Sequence, residues 1–175
     1  VKAVVALRNV KEACEIEELK AAAEIGYEMH TTAMKMAKDG VSEHEIYGTI
    51  EGISLKHGLL TSFHSIVSKN GQILHNHTHE NILHTGDLLL NDSGAQTDMG
   101  YASDNTRTFP VGGKFSQRQK DVYQIVLNTI NGSIPMMKPG ETYQSIHLKA
   151  CEILAEGLKA LGLMKGDMKE AVQQG

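Results

Sequence analysis

Asp92 and Asp104 stand twelve positions apart, in the segment Asp92-Ser93-Gly94-Ala95-Gln96-Thr97-Asp98-Met99-Gly100-Tyr101-Ala102-Ser103-Asp104, whose middle has the composition of a turn. Asp92 follows the apolar run Leu88-Leu89-Leu90, which reads as a strand entering a core. With Asp98 at the centre of a β-hairpin, the two carboxylates would lie directly across the ladder on one face. Partly buried carboxylates at that separation repel each other and resist ionising together. One or two divalent cations are the usual remedy. A turn-stabilising role suits Asp98 but not Asp92, because burying an uncompensated carboxylate is costly. Arg107 is the alternative partner, neutralising one of the pair in place of a metal.

Five of the nine histidines fall between His64 and His84. The run His75-Asn76-His77-Thr78-His79 alternates, which on a strand would point three imidazoles one way, as in some zinc sites. In an exposed polar loop the same alternation means little, and His77 and His79 are read as loop residues. His75 follows the apolar pair Ile73-Leu74 and is placed at the end of a strand.

The elements that must position these groups can be read from periodicity and punctuation. From Glu12 to Lys38, Ile16, Leu19, Ala23, Tyr27, His30, Met34 and Ala37 recur in steps of three and four, one face of a long helix closed by Asp39-Gly40. Ser42 with Glu45 forms a capping box that opens a helix bearing Ile46, Ile50 and Ile53 and stopping at His57-Gly58. Strands are expected over 62–68, 72–75, 87–95 and 101–111, with Lys69-Asn70-Gly71 as a turn. Ser116 and Gln119 start a further helix, Lys138-Pro139-Gly140 ends that segment, and Thr142 caps a last helix, after which the pattern fades. The order predicts an α+β fold, an antiparallel sheet covered by helices, rather than alternating βαβ units.

A chain of 175 residues with 41% hydrophobic and 22% charged residues has the balance of one globular domain. A net charge of −4 leaves no basic footprint for nucleic acid, and no apolar run approaches a membrane span. Cys14 and Cys151 are read as free, buried thiols in a reducing compartment, so a cytoplasmic setting is expected.

Asp92-Ser93-Gly94-Ala95, followed by Tyr101-Ala102-Ser103-Asp104-Asn105-Thr106-Arg107-Thr108-Phe109-Pro110-Val111, resembles the metal-binding signature of the pita-bread metallopeptidases. The likeness is greatest to Xaa-Pro aminopeptidases and prolidases. It extends through Ile73-Leu74-His75 upstream and Gly113-Lys114-Phe115-Ser116 downstream. The resemblance implies the N-terminal half of a pita-bread fold, with residues 1–11 a linker from another domain and 12–175 a truncated catalytic half. It also implies two divalent metals (manganese, cobalt or zinc) held by two aspartates, a histidine and two glutamates. Asp92 and Asp104 match the two aspartates, and His75 matches a histidine that contacts substrate. The implied substrate is a peptide whose first residue is removed, often one preceding proline, with water activated between the metals as nucleophile.

The pattern departs from the family at three points. Its aspartates are twelve rather than eleven apart, Asn105 stands where isoleucine is common, and nothing after Val111 supplies the later histidine and glutamates. The chain is therefore expected to be a weakly metal-binding, inactive fragment, tending to a homo-oligomer. The alternative is a pita-bread homologue without catalysis that binds peptides or proteins.

Overall fold

A short exposed helix, α1 (Lys2–Asn9), precedes the long helix α2 (Ala13–Met36). Glu12 caps α2 through a reciprocal box with Glu15, and Ser42 with Glu45 does the same for α3 (Glu43–Lys56). These caps form where the sequence places them because each is closed within four residues. The structure, a computed structural model, describes residues 1–58 and 60–174. It comprises two units, Val1–Lys114 and Phe115–Gly175.

Among the described residues of the first unit, α3 is followed by the strands β1 (Leu60–Thr61), β2 (Ile66–Ser68), β3 (Leu88–Ser93), β4 (Ala95–Gln96) and β5 (Asn105–Pro110). β2, β3 and β5 form one antiparallel sheet with β3 in the middle, while β1 pairs with β4. Along β3, Leu89, Asn91 and Ser93 are buried and Leu88, Leu90 and Asp92 half-buried, so α2 covers the first set and leaves the second on the open face, while α3 packs on β1 and β2. Met29, Ala33, Ile46, Ile50, Val67, Leu83 and Leu89 form the core between helices and sheet. The expected α+β arrangement is the observed one.

Three local readings are corrected. The buried face of α2 is Ala22, Gly26, Met29, His30 and Ala33, while Tyr27 is 68% and Met34 41% exposed. Small residues face the sheet because the helix lies close against it: a Cβ at Gly26 would stand 2.9 Å from Ser103 Oγ. Residues 72–75 form a turn rather than a strand, closed by Ile73 N–H donating to the Asn70 carbonyl. Ser62–Ser65 likewise stay outside the strands.

The second unit is helical. α4 (Gln117–Ser133) begins at the Ser116–Gln119 box, a 3₁₀ turn follows at Ile134–Met136, and α5 (Tyr143–Ala160) is capped by Thr142. Gly132 and Gly157 let α4 and α5 interlock, since a Cβ would meet Ile153 at 2.6 Å and Ile125 at 2.5 Å. An unanticipated helix, α6 (Met168–Gln174), is started by Asp167 Oδ1, which accepts from the amides of Lys169 and Glu170, and is held by buried Met168. Cys14 is exposed and Cys151 half-buried, so both thiols are free but neither is buried as expected. Among the described residues no helix is long and apolar enough to cross a membrane.

Candidate metal site

β3 runs into its partner across a hairpin whose ladder fixes where the aspartates meet. Asp92 pairs with Thr106 and Ser93 with Asn105, and the bridge from Gln96 to Ala102 continues the same register. The hairpin is therefore centred on Met99, not Asp98. Moving the centre by one residue moves every partner by two, so Asp104 falls opposite Gly94, diagonal to Asp92 rather than across from it. A shift of two preserves the alternation of faces, and both carboxylates remain on the open side. Gly94 is required there because a Cβ would overlap the Ser103 carbonyl oxygen.

The two carboxyls are in contact. Burial, then the charge of Asp92 and a hydrogen bond shared with it, raise the Asp104 carboxyl above the usual carboxylate range. Asp92 Oδ1 is buried with no hydrogen-bond partner. Arg107, weighed as the neutralising group, is exposed and turns its Nη1 to the Thr106 carbonyl. Among the described residues neither aspartate has an ion-pair partner. An orphaned oxygen beside a disfavoured second carboxylate fits a hard divalent cation. The donor set is a partial one, because no three His, Cys, Asp or Glu side chains among the described residues are arranged to hold an ion.

The histidine segment divides. His75 occupies a turn at φ 56°, its side chain exposed and without hydrogen bond, ion pair or ring contact among the described residues. The structure does not join it to the aspartates. His79, read as an exposed loop residue, is 4% exposed: its Nδ1 is 3.1 Å from the Val67 carbonyl and its ring stacks on Tyr47 at 4.1 Å. Burial, the largest influence, lowers its pKa. The loop over 69–81 is pinned at both ends by Glu43, a fully buried carboxylate that accepts from the Lys69 and Asn81 amides and from Asn81 Nδ2.

Two buried polar residues under the site escaped the sequence reading. His30 counted only as part of an apolar face, yet Asn91 Nδ2 donates to its Nδ1 at 3.1 Å, and Nε2 lies 3.4 Å from the Ser93 carbonyl. Burial is the main cause of its lowered pKa. The available signal was the residue type itself: a polar side chain on the core face of a leucine-rich strand needs a partner. On the open face, Leu88, Leu90 and Thr108 line a hollow of about 310 Å³ with Lys69, Gly71 and Gln72.

A helix-backed antiparallel sheet with paired carboxylates on its open face makes this an α+β protein of the pita-bread type. The chain belongs to metallopeptidase family M24, whose model matches residues 17–172. It is 38% identical over 171 residues to an Xaa-Pro aminopeptidase of Escherichia coli, covering 96% of this chain and 38% of that protein. It superposes with TM-score 0.90 and 38% identity on proline aminopeptidase P II from Yersinia pestis, covering 96% of this chain and 39% of that one. A zinc-substituted Escherichia coli aminopeptidase P in complex with product is equally similar in fold, at TM-score 0.90, 37% identity and the same coverages. The chain thus spans about two-fifths of the length of these relatives.

Proposed function

We propose that this chain forms part of a dinuclear metallo-aminopeptidase that removes the first residue of a peptide, of the Xaa-Pro type, in the cytoplasm. The observation that carries the reading is the interaction of Asp92 with Asp104 on the open face, with one buried oxygen unpartnered and no ion-pair partner for either carboxylate among the described residues. Asp92 and Asp104 are the residues that would hold the ions, manganese, cobalt or zinc. When bound, they would supply a Lewis acid for the scissile carbonyl and lower the pKa of water. Asp92 is fixed by the ladder and Asp104 by the hairpin beyond it, so both oxygens are presented without reorganisation. His75, exposed on its turn, is free to contact an incoming peptide, and the hollow at Leu88 and Leu90 offers apolar surface on the same face.

The 175 residues supply two of the five side chains that the family resemblance calls for, so the chain alone should bind cations weakly and cleave slowly or not at all. Its exposed apolar side chains, including Val126, Ile130, Ile134 and Leu154, support self-association into a homo-oligomer. A manganese titration followed by electron paramagnetic resonance tests the site. Asp92→Asn and Asp104→Asn should each abolish the bound fraction, and a chain indifferent to both substitutions would overturn the reading. Robust, metal-dependent release of the first residue from an Xaa-Pro peptide by these residues alone would refute the inactivity. A monodisperse monomer in light scattering at high concentration would refute the oligomer.

A further inference from the structure

The hydrogen-bonded ladder of β3 and β5 ends at the rung Ser93–Asn105. Asp92 lies one residue before that rung on β3, and Asp104 one residue past it, immediately before β5. The separation of the two carboxylates is therefore set by how rigidly this terminal rung is held. Sheet ends fray, and a rung next to a glycine has little side-chain packing of its own.

A single imidazole, on the opposite face from the aspartates, grips this rung. His30 is buried on α2, with its Nε2 3.4 Å from both the carbonyl oxygen and the Oγ of Ser93. The Asn105 backbone, across the rung, is the second backbone group after Ser93 that acts on the ring and opposes the effect of burial. Its other nitrogen accepts from Asn91 Nδ2 at 3.1 Å. The ring thus engages the residues on either side of Asp92 and the residue after Asp104, with no hydrogen bond to either carboxylate among the described residues. Asn91 orients the imidazole, since a donor on Nδ1 leaves Nε2 as the nitrogen that carries hydrogen toward the strand carbonyls. Close approach of the helix makes this reach possible. Gly26, one turn earlier, lies against Ser103, and Ser103 Oγ accepts from the Ala95 amide at 3.0 Å, which fixes the residue before Asp104.

We propose that His30 is a positioning residue for the metal site: it acts through the Ser93–Asn105 rung to hold Asp92 and Asp104 at the spacing a cation requires. The proposal rests on the reading of those aspartates as metal ligands. A core histidine that served packing alone would have no need of polar bonds to both strands at the ligand-bearing end. His30 instead directs both ring nitrogens there, and the ladder's other end, at Leu88–Pro110, has no such side-chain partner among the described residues.

The test measures manganese affinity by electron paramagnetic resonance alongside thermal stability, on the 175-residue chain. His30→Leu should weaken manganese binding on the order of tenfold, the low end of the loss seen when an outer partner of a metal ligand is removed. His30→Gln, which keeps a donor and an acceptor, should recover most of that affinity. Ile50→Val serves as the control for stability, lowering the melting temperature in the core and leaving affinity at the wild-type value. Asp92→Asn and Asp104→Asn are run beside them. If these lose binding while His30→Leu does not, the positioning role is overturned and the metal reading stands. If Ile50→Val lowers affinity as much as His30→Leu, the effect is one of stability and the role is likewise overturned. If the aspartate variants bind like wild type, or wild type binds nothing, the metal reading falls and the inference with it. Should His30→Leu not fold, the wild type decides: diamagnetic magnesium should shift the His30 ring N–H resonance in nitrogen-15 spectra, and an unmoved resonance at saturation overturns the role.

Discussion

Two glycines of the first unit meet opposite fates on gaining a methyl group, and the contrast isolates what holds the aspartates in place. At Gly94 a Cβ would overlap the Ser103 carbonyl. That carbonyl is already fixed, because it accepts from Ser62 Oγ at 2.7 Å. Gly94→Ala must therefore push the hairpin open beside Asp104, and we expect a loss of about 3 kcal/mol in denaturant unfolding, with weakened manganese binding. Gly48 lies within α3 with nothing within 4 Å of its would-be Cβ. There the substitution only restricts the unfolded chain and improves helix propensity, so Gly48→Ala should stabilise by about 0.5–1 kcal/mol. Equal losses at the two positions would show that backbone freedom, not the Ser103 contact, governs Gly94.

Among the elements, the loop over 69–81 depends on one side chain from a helix. Glu43 Oε1 accepts from the Lys69 amide at 2.7 Å, while Oε2 accepts from Asn81 N at 3.3 Å and Asn81 Nδ2 at 2.8 Å. Glu43→Gln keeps the shape but turns an NH2 group against at least one buried donor. Leaving such a group unsatisfied costs about 1–3 kcal/mol. Hydrogen exchange should speed up at the Lys69 and Asn81 amides and through the loop, with α4 and α5 unchanged; full protection at both amides would rule out the pin. The loop also marks where sequence reasoning stopped. Caps at Ser42, Ser116 and Thr142 were legible because each is made by residues three apart. The strand expected at 72–75 was not formed, since Ile73-Leu74 looked like a core-bound pair yet both side chains are exposed. The loop's course is set instead by Glu43, which is 26 residues from Lys69 and 38 from Asn81, and by the Val67 carbonyl, which is 12 residues from His79. The face of α2 was misplaced for the same reason, because small size at Ala22 and Gly26 matters only once the sheet is present. Asp92 and Asp104 were legible as a pair because parity survives a register shift of two, whereas the ring beneath them depended on a contact across 63 residues.

At the scale of the whole molecule, the titrating groups act on stability in separable windows of pH. His30 and His79 are both held below the ordinary histidine value of 6.5, burial being the first cause in each. The folded state therefore binds fewer protons than the unfolded chain once the pH drops below that value. Stability from these two groups is complete above about 6.5 and is lost as pH falls toward their folded values. The carboxylates of Glu15 and Glu28, lowered first by hydrogen bonds from Tyr101 and His57 respectively, contribute above their ordinary value of 4.5 and are lost only in stronger acid. Asp104 works in the opposite sense. Its raised carboxyl makes the metal-free protein lose stability as pH climbs above 3.8 through the folded value. Without metal, the melting temperature should therefore be flat above about pH 7.5, fall through 6.5, and fall again below 4.5. His79→Gln, whose amide can still donate to the Val67 carbonyl, should flatten the first descent without removing the second. A melting temperature that stays constant from pH 7.5 to 5 in the wild type would mean that neither imidazole is kept neutral by burial.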